Sequence, residues 1–158
     1  MGTLTIPEAK AGQNLKLEIR RVIRASRQRV FEAWTRPEEI RRWFGPAGTQ
    51  VLEAEADFRQ GGRWSISTVR PSPDGGEEHH CGAFGEYVTI VPNRLLRFTW
   101  TPTSSLDEET LVTIELQDVA GGTELTLRHE GFASENSRAG HEEGWTGTLV
   151  KLVARVEA

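Results

Sequence analysis

Cysteine is the scarcest reactive group in this 158-residue chain, and Cys81 alone cannot close an internal disulfide or build a cysteine-based zinc site. Such usage suits a reducing compartment. Long apolar runs are missing too: no stretch approaches the roughly 20 residues that a membrane helix needs. The opening MGTLTIPEAKAGQ lacks the apolar centre of a secretory signal, so a cytoplasmic protein without membrane contact is expected. Excess charge is small, 19 basic against 23 acidic residues for a net of -4, which argues against a nucleic-acid or anionic-membrane binder. No Gly-x-Ser-x-Gly elbow, Walker loop or dinucleotide fingerprint occurs, and no cofactor is expected. What is present is bulky. Only 37% of residues are hydrophobic, yet five are Trp and six Phe, so the apolar material comes in a few large pieces that fill a core or line a cavity.

Residues 1–13 read as a flexible lead-in, and 14–158 as one domain without a linker. From Leu15 to Arg24, Leu15, Leu17, Ile19 and, after a slip, Val22 or Ile23 alternate with charge, the period of a half-buried strand. Ser26 offers a helix N-cap before Val30, Phe31 and Trp34 on one helical face. Thr35 with Glu38 has the spacing of a capping box, and Pro37 suits a first turn. A second short helix presents Ile40, Trp43 and Phe44 and stops at Gly45-Pro46. Six strands are then expected over 51–58, 63–69, 79–91, 95–101, 110–116 and 123–129, joined by Gly-, Pro- and Asn-rich turns. Trp145, Leu149, Leu152, Val153 and Val156 recur at helical spacing, predicting an amphipathic helix over about 137–156. Gly140, Gly144 and Gly147 inside it each weaken it by about 1 kcal/mol relative to Ala, which fits either a close approach to the sheet or a ligand, or a poorly optimised helix end. An α+β fold follows: a curved antiparallel sheet of about seven strands around one long helix buries both apolar faces. Space between helix and sheet would form a mostly apolar pocket.

The residues filling that order carry a resemblance. Val30-Phe31-Glu32-Ala33-Trp34-Thr35 with Pro37, Trp43-Phe44-Gly45-Pro46, Asp57 with Gly61-Gly62-Arg63-Trp64, Gly85 before Ile90 and Pro92, Arg94-Leu95 with Phe98-Thr99-Trp100, Gly122 to Leu127 with His129, and Gly144-Trp145 with Leu149 and Leu152 stand in sequence at compatible spacing. Together they resemble the START-like (SRPBCC) superfamily and, within it, the family named after the activator of the heat-shock protein 90 ATPase. The resemblance runs from Leu15 to Val156 and implies a helix-grip fold. It also implies a ligand-binding or chaperone-related role, possible in a stress response, since the superfamily hosts several functions. The match covers the helix-grip part of the founding co-chaperone and not its separate N-terminal domain, so direct stimulation of a chaperone ATPase is not expected.

Strand parity selects the candidate cavity wall. Leu125, Leu127 and His129 share a face, as do Phe98 and Trp100, Trp64 and Ile66, and Phe84, Glu86 and Val88. If these faces point inward, Trp64, Ile66, Phe84, Phe98, Trp100, Trp145 and Leu149 wall a cavity, with Glu86 and His129 as its polar groups. A register slip reverses each assignment, and Glu86 also fits a solvent-facing position. His129 can serve a ligand or act as a base near neutral pH, or be a core histidine bonded to the backbone. Trp43 and Phe44 form either a gate at the cavity mouth or a plug closing the sheet end. No metal is expected: His79-His80-Cys81 places only two ligands on one strand face. His141-Glu142 begins a His-Glu-x-x-His motif, but Trp145 occupies its second ligand position.

Charge is uneven along the chain, with nine basic and four acidic residues between Leu15 and Phe44, against four and eleven from Ser105 onward. The leading reading is a non-enzymatic protein binding a small hydrophobic or aromatic molecule between the long helix and the sheet. The alternatives are an acid–base enzyme on such a molecule, with His129 or Glu86 as the base, and a co-chaperone-like module whose basic first third meets a chaperone or other acidic protein.

Overall fold

The structure is a computed structural model and describes residues 15–72 and 74–158. The lead-in expected over 1–13 lies outside the described residues. The elements run β1 (Leu15–Ile23), α1 (Arg27–Thr35), α2 (Pro37–Trp43), β2 (Gln50–Ala56), β3 (Arg63–Arg70), β4 (His79–Val91), β5 (Leu95–Pro102), β6 (Thr110–Val119), β7 (Gly122–Phe132) and α3 (Glu135–Glu157). One seven-stranded antiparallel sheet has the order β1-β7-β6-β5-β4-β3-β2. Strands β2 to β7 form a meander, and β1 closes onto β7. Register shifts at Val51–Glu53 and Tyr87–Thr89 bend the β2–β4 end, as bulges do. The curved sheet grips α3, which is the helix-grip arrangement.

Alternation in β1 is regular. Leu17, Ile19 and Ile23 face the core while Val22 is 58% exposed, so the slip expected near Val22 does not occur. Arg21 simply takes an inward-parity position at the sheet edge. Helix α1 begins where expected, with Ser26 Oγ accepting from the Arg29 amide at 3.1 Å. The capping box at Thr35 does not form. Thr35 is buried, and its hydroxyl donates back to the Phe31 carbonyl at 2.9 Å, so Arg36 in extended conformation caps α2 without a side-chain bond. Pro37 does occupy the first turn of α2. Acidic Glu38 and Glu39 at its start and basic Arg41 and Arg42 at its end complement the helix dipole. Gly45 follows in the left-handed region (φ +88°), where a Cβ would lie 2.4 Å or more from Thr49 side-chain atoms and collide with them.

Helix α3 starts two residues earlier than its apolar spacing suggests, because Ser134 Oγ accepts from the Ser137 amide at 3.1 Å and nucleates the first turn. Its buried residues Trp145, Thr148, Leu149, Leu152 and Val156 pack over β1, β7 and the two short helices. Burying each Leu is worth about 1.5–3 kcal/mol. Of its three inner glycines, only Gly147 meets a neighbour: a Cβ there would stand 3.2 Å from Pro46 Cβ, whereas Gly140 and Gly144 open onto free space. The close approach is thus to the turn after α2. No helix among the described residues is long and apolar enough to cross a membrane.

Candidate functional site

The inward sheet face carries small residues at one end and large ones in the middle. Strand β2 contributes Ala54 and Ala56, paired with Ile66 and Trp64 of β3. On β4 the inward positions are Ala83, Gly85 and Tyr87, paired with Ile66, Trp64 and, across the other edge, Phe98. Gly85 is required by packing, since a Cβ there would collide with the Thr99 carbonyl and lie 2.8 Å from Trp64 Nε1. Small residues beside rigid indoles leave unfilled space. A cavity of about 50 Å³ lies under α2, walled by Trp34, Ile40, Trp43, Phe44, Trp64, Ile66, Tyr87, Leu96, Phe98, Trp100 and Trp145, with Ala54 and Ala56 as its thin side. Pro37, Glu55 and Ser65 complete the lining, and Glu55 and Ser65, alternating with the inward Ala54, Ala56, Trp64 and Ile66, turn exposed side chains to the opposite sheet face. At roughly 10–15 Å³ per water position, the space holds a few waters at most.

All five tryptophans contribute to this wall, and they touch one another. Ring centroids are 4.7 Å apart for Trp34–Trp43, 5.3 Å for Trp100–Trp145, 5.4 Å for Trp64–Trp100 and 5.9 Å for Trp34–Trp145. Two indole N–H groups are satisfied: Trp43 donates to the Ala33 carbonyl at 2.8 Å and Trp145 to His129 Nδ1 at 3.0 Å. The other three, on Trp34, Trp64 and Trp100, are buried with no hydrogen-bond partner among the described residues. A buried donor without a partner costs about 1–3 kcal/mol. Tyr87 also lines the space, and its burial pushes the phenol pKa up to about 12, so it is protonated at neutral pH.

The sequence-derived candidates divide accordingly. Trp64, Ile66, Phe98, Trp100 and Trp145 line the cavity, as do Trp43 and Phe44. Trp43 is only 1% exposed and packs as core, whereas Phe44 is half-buried at 6.1 Å from Trp100 and 6.2 Å from Trp145. Phe84 and Glu86 are corrected, because β4 presents Ala83, Gly85 and Tyr87 inward and sends Phe84 and Glu86 to the opposite face. The cost of burying an unpaired carboxylate is the sequence signal that separates the two parities. Leu149 is fully buried in the α3 core and does not line the cavity. Trp34, Tyr87 and the two β2 alanines were not anticipated. Trp34 reaches the cavity because α1 folds back over the sheet end, which its local helical pattern does not encode.

His129 is 0% exposed and sits behind the cavity wall. The Thr110 hydroxyl donates to the Trp100 carbonyl at 2.7 Å, so it accepts from His129 Nε2–H at 2.7 Å, while Nδ1 accepts from Trp145. This chain of bonds assigns the neutral Nε2–H tautomer. Burial, then the neighbouring His141 with its ring 5.0 Å away, hold the His129 pKa well below the ordinary histidine value. With both nitrogens engaged, His129 has no position left for a substrate proton. Glu86, on the other face, is exposed. Among the described residues no three His, Cys, Asp or Glu side chains are grouped to hold a metal ion.

Comparison with known proteins places this geometry. Among solved structures, a protein from Chromobacterium violaceum is similar over 92% of this chain and 99% of its own, with 25% identity and a TM-score of 0.80. CalU16 from Micromonospora echinospora is similar over 96% of this chain and 80% of its own, with 27% identity and a TM-score of 0.71. An AHSA1 protein from Silicibacter pomeroyi shares the fold, with 24% identity, 90% and 97% coverage and a TM-score of 0.78. No curated protein matches the chain. Residues 24–157 match the family described as Activator of Hsp90 ATPase homolog 1-like protein, and this chain belongs to that family, within the START-like superfamily.

Proposed function

We propose that residues 14–158 act as one helix-grip domain that binds a small hydrophobic or aromatic molecule in the cavity beneath α2, between the sheet and α3. The observation that carries this reading is the apolar space walled by all five tryptophans, with Ala54 and Ala56 at the inward positions of β2. Ligand pockets are apolar and concave with a few fixed polar groups, and the family's fold hosts ligand-binding domains. The free volume of about 50 Å³ is well below the several hundred Å³ of a drug-sized site. Entry of even one aromatic ring therefore requires the cavity wall to open.

Acid–base catalysis gains no support, since His129 is locked in internal hydrogen bonds and Glu86 points away. A chaperone-facing basic surface gains none either. Several cations of the first third already meet acids of the fold: Arg27 with Asp118 at 2.9 Å, Arg24 with Glu157 at 3.5 Å and Arg29 with Glu39 at 3.0 Å. Titrating the protein with lipids, polyketide-like aromatics and sterols, followed by tryptophan fluorescence, tests the reading. A saturable change with at least one class is expected; a flat response across all of them contradicts it.

A further inference from the structure

The polar character of the cavity is one-sided. Three indole N–H groups on its wall, those of Trp34, Trp64 and Trp100, have no acceptor among the described residues, although the chain satisfies the other two indoles with a backbone carbonyl and a histidine nitrogen. Tyr87, the remaining polar side chain inside the rim, can donate as well. Among the described residues no Lys, Arg or His lines the space, and Glu55, between the inward Ala54 and Ala56, has outward parity and is exposed. A buried wall with unsatisfied donors and no cation distinguishes among ligands. A pure hydrocarbon leaves every donor unpaired. A carboxylate would be desolvated without a counter-charge, at a cost that exceeds its hydrogen-bonding gain.

We infer that the cavity takes a neutral apolar molecule bearing an exposed carbonyl oxygen, which accepts from at least one of the Trp34, Trp64 and Trp100 indole N–H groups. This inference rests on the ligand-binding reading above and specifies its chemistry. Pairing one such donor is worth about 1 kcal/mol, or about fivefold in affinity. Trp64 is seated over Gly85, so its N–H lies close to the β4 backbone. Trp34 on α1 and Trp100 on β5 carry the other two free donors.

Three probes of nearly equal shape separate the possibilities: acetophenone, α-methylstyrene, in which a methylene replaces the carbonyl oxygen, and benzoate. Full-length protein labelled with 15N is titrated with each, and its five indole N–H signals are followed. Acetophenone is expected to bind at least about fivefold tighter than α-methylstyrene. It should move the indole proton of Trp34, Trp64 or Trp100 downfield, while Trp43 and Trp145 keep their internal partners; benzoate should bind most weakly. Equal affinities for acetophenone and α-methylstyrene, or no downfield indole shift, would overturn the carbonyl inference and leave apolar ligand binding standing. Tightest binding by benzoate would overturn the requirement for a neutral ligand. Failure of all three to bind would remove the inference together with the reading beneath it.

Discussion

His129 decides how the middle of the molecule is built. Its position on the inward row of β7 was legible from strand parity, because Leu125 and Leu127 share that face. Its partners were not legible, since Thr110 and Trp145 are brought to it by sheet register and by the seating of α3. Replacing it with leucine strands the Trp145 N–H and breaks the relay to Trp100. His129→Leu is expected to lower unfolding free energy by about 1–3 kcal/mol, measured by urea denaturation at pH 7.5. The same residue sets a pH dependence. Folded His129 stays neutral while the unfolded chain takes up a proton near pH 6.5. Its contribution is complete above that pH and declines below it by up to about 1.4 kcal/mol per pH unit. Wild type should show this slope between pH 6.5 and 5, and His129→Leu should lack it; parallel profiles would contradict the assignment. The glutamate of the helix cluster acts lower. Hydrogen bonding from Arg155, and then Arg29, holds the Glu39 carboxyl below the ordinary range, so its contribution is lost only as acid protonates it.

Elements were read more easily than their joins. Strand and helix identities follow from period-2 and period-3.6 patterns over β1 to α3, and these appear where the sequence places them. The join at Thr35 misled because its hydroxyl could either accept from an α2 amide as a cap or donate to the preceding turn, and it donates to the Phe31 carbonyl. The parity of β4 misled because Phe84 looks more like core than Ala83 or Gly85, and only pairing with Trp64 and Phe98 settles it. Helix α2, which covers the cavity, is held by contacts invisible in local pattern. Glu39 receives Arg29 of α1 at 3.0 Å and Arg155 of α3 at 3.1 Å, and Lys151 donates to the Phe44 and Pro46 carbonyls at 3.4 and 3.5 Å. Glu39→Gln should cost about 0.5–1 kcal/mol, because these partly exposed pairs are screened by water. Amide exchange over Ile40–Phe44 should speed by about two- to fivefold, with the core strands unchanged. Unchanged exchange in α2 would show that the pairs do not restrain it.

At the scale of the molecule, the opposed charges of the two ends of the chain become partners within the fold. Arg24 meets Glu157 and Arg27 meets Asp118, while Arg128 lies between Glu18 and Glu115 on the outer sheet face. That polarity was visible in composition, but which acid each cation meets depends on topology. The abundance of tryptophan was visible too. That all five would meet around one space was not, because the space is defined by what is small: Ala54 and Ala56. Filling that space is the sharpest intervention. Ala56→Leu adds three carbons to the thin side of the cavity without touching a tryptophan N–H. The decisive measurement is a paired titration of wild type and Ala56→Leu with the same small aromatic ketone, read from indole N–H shifts. The account predicts saturable shifts in wild type and their loss in a folded Ala56→Leu protein. No shifts in wild type, or the same binding curve in both, would contradict it.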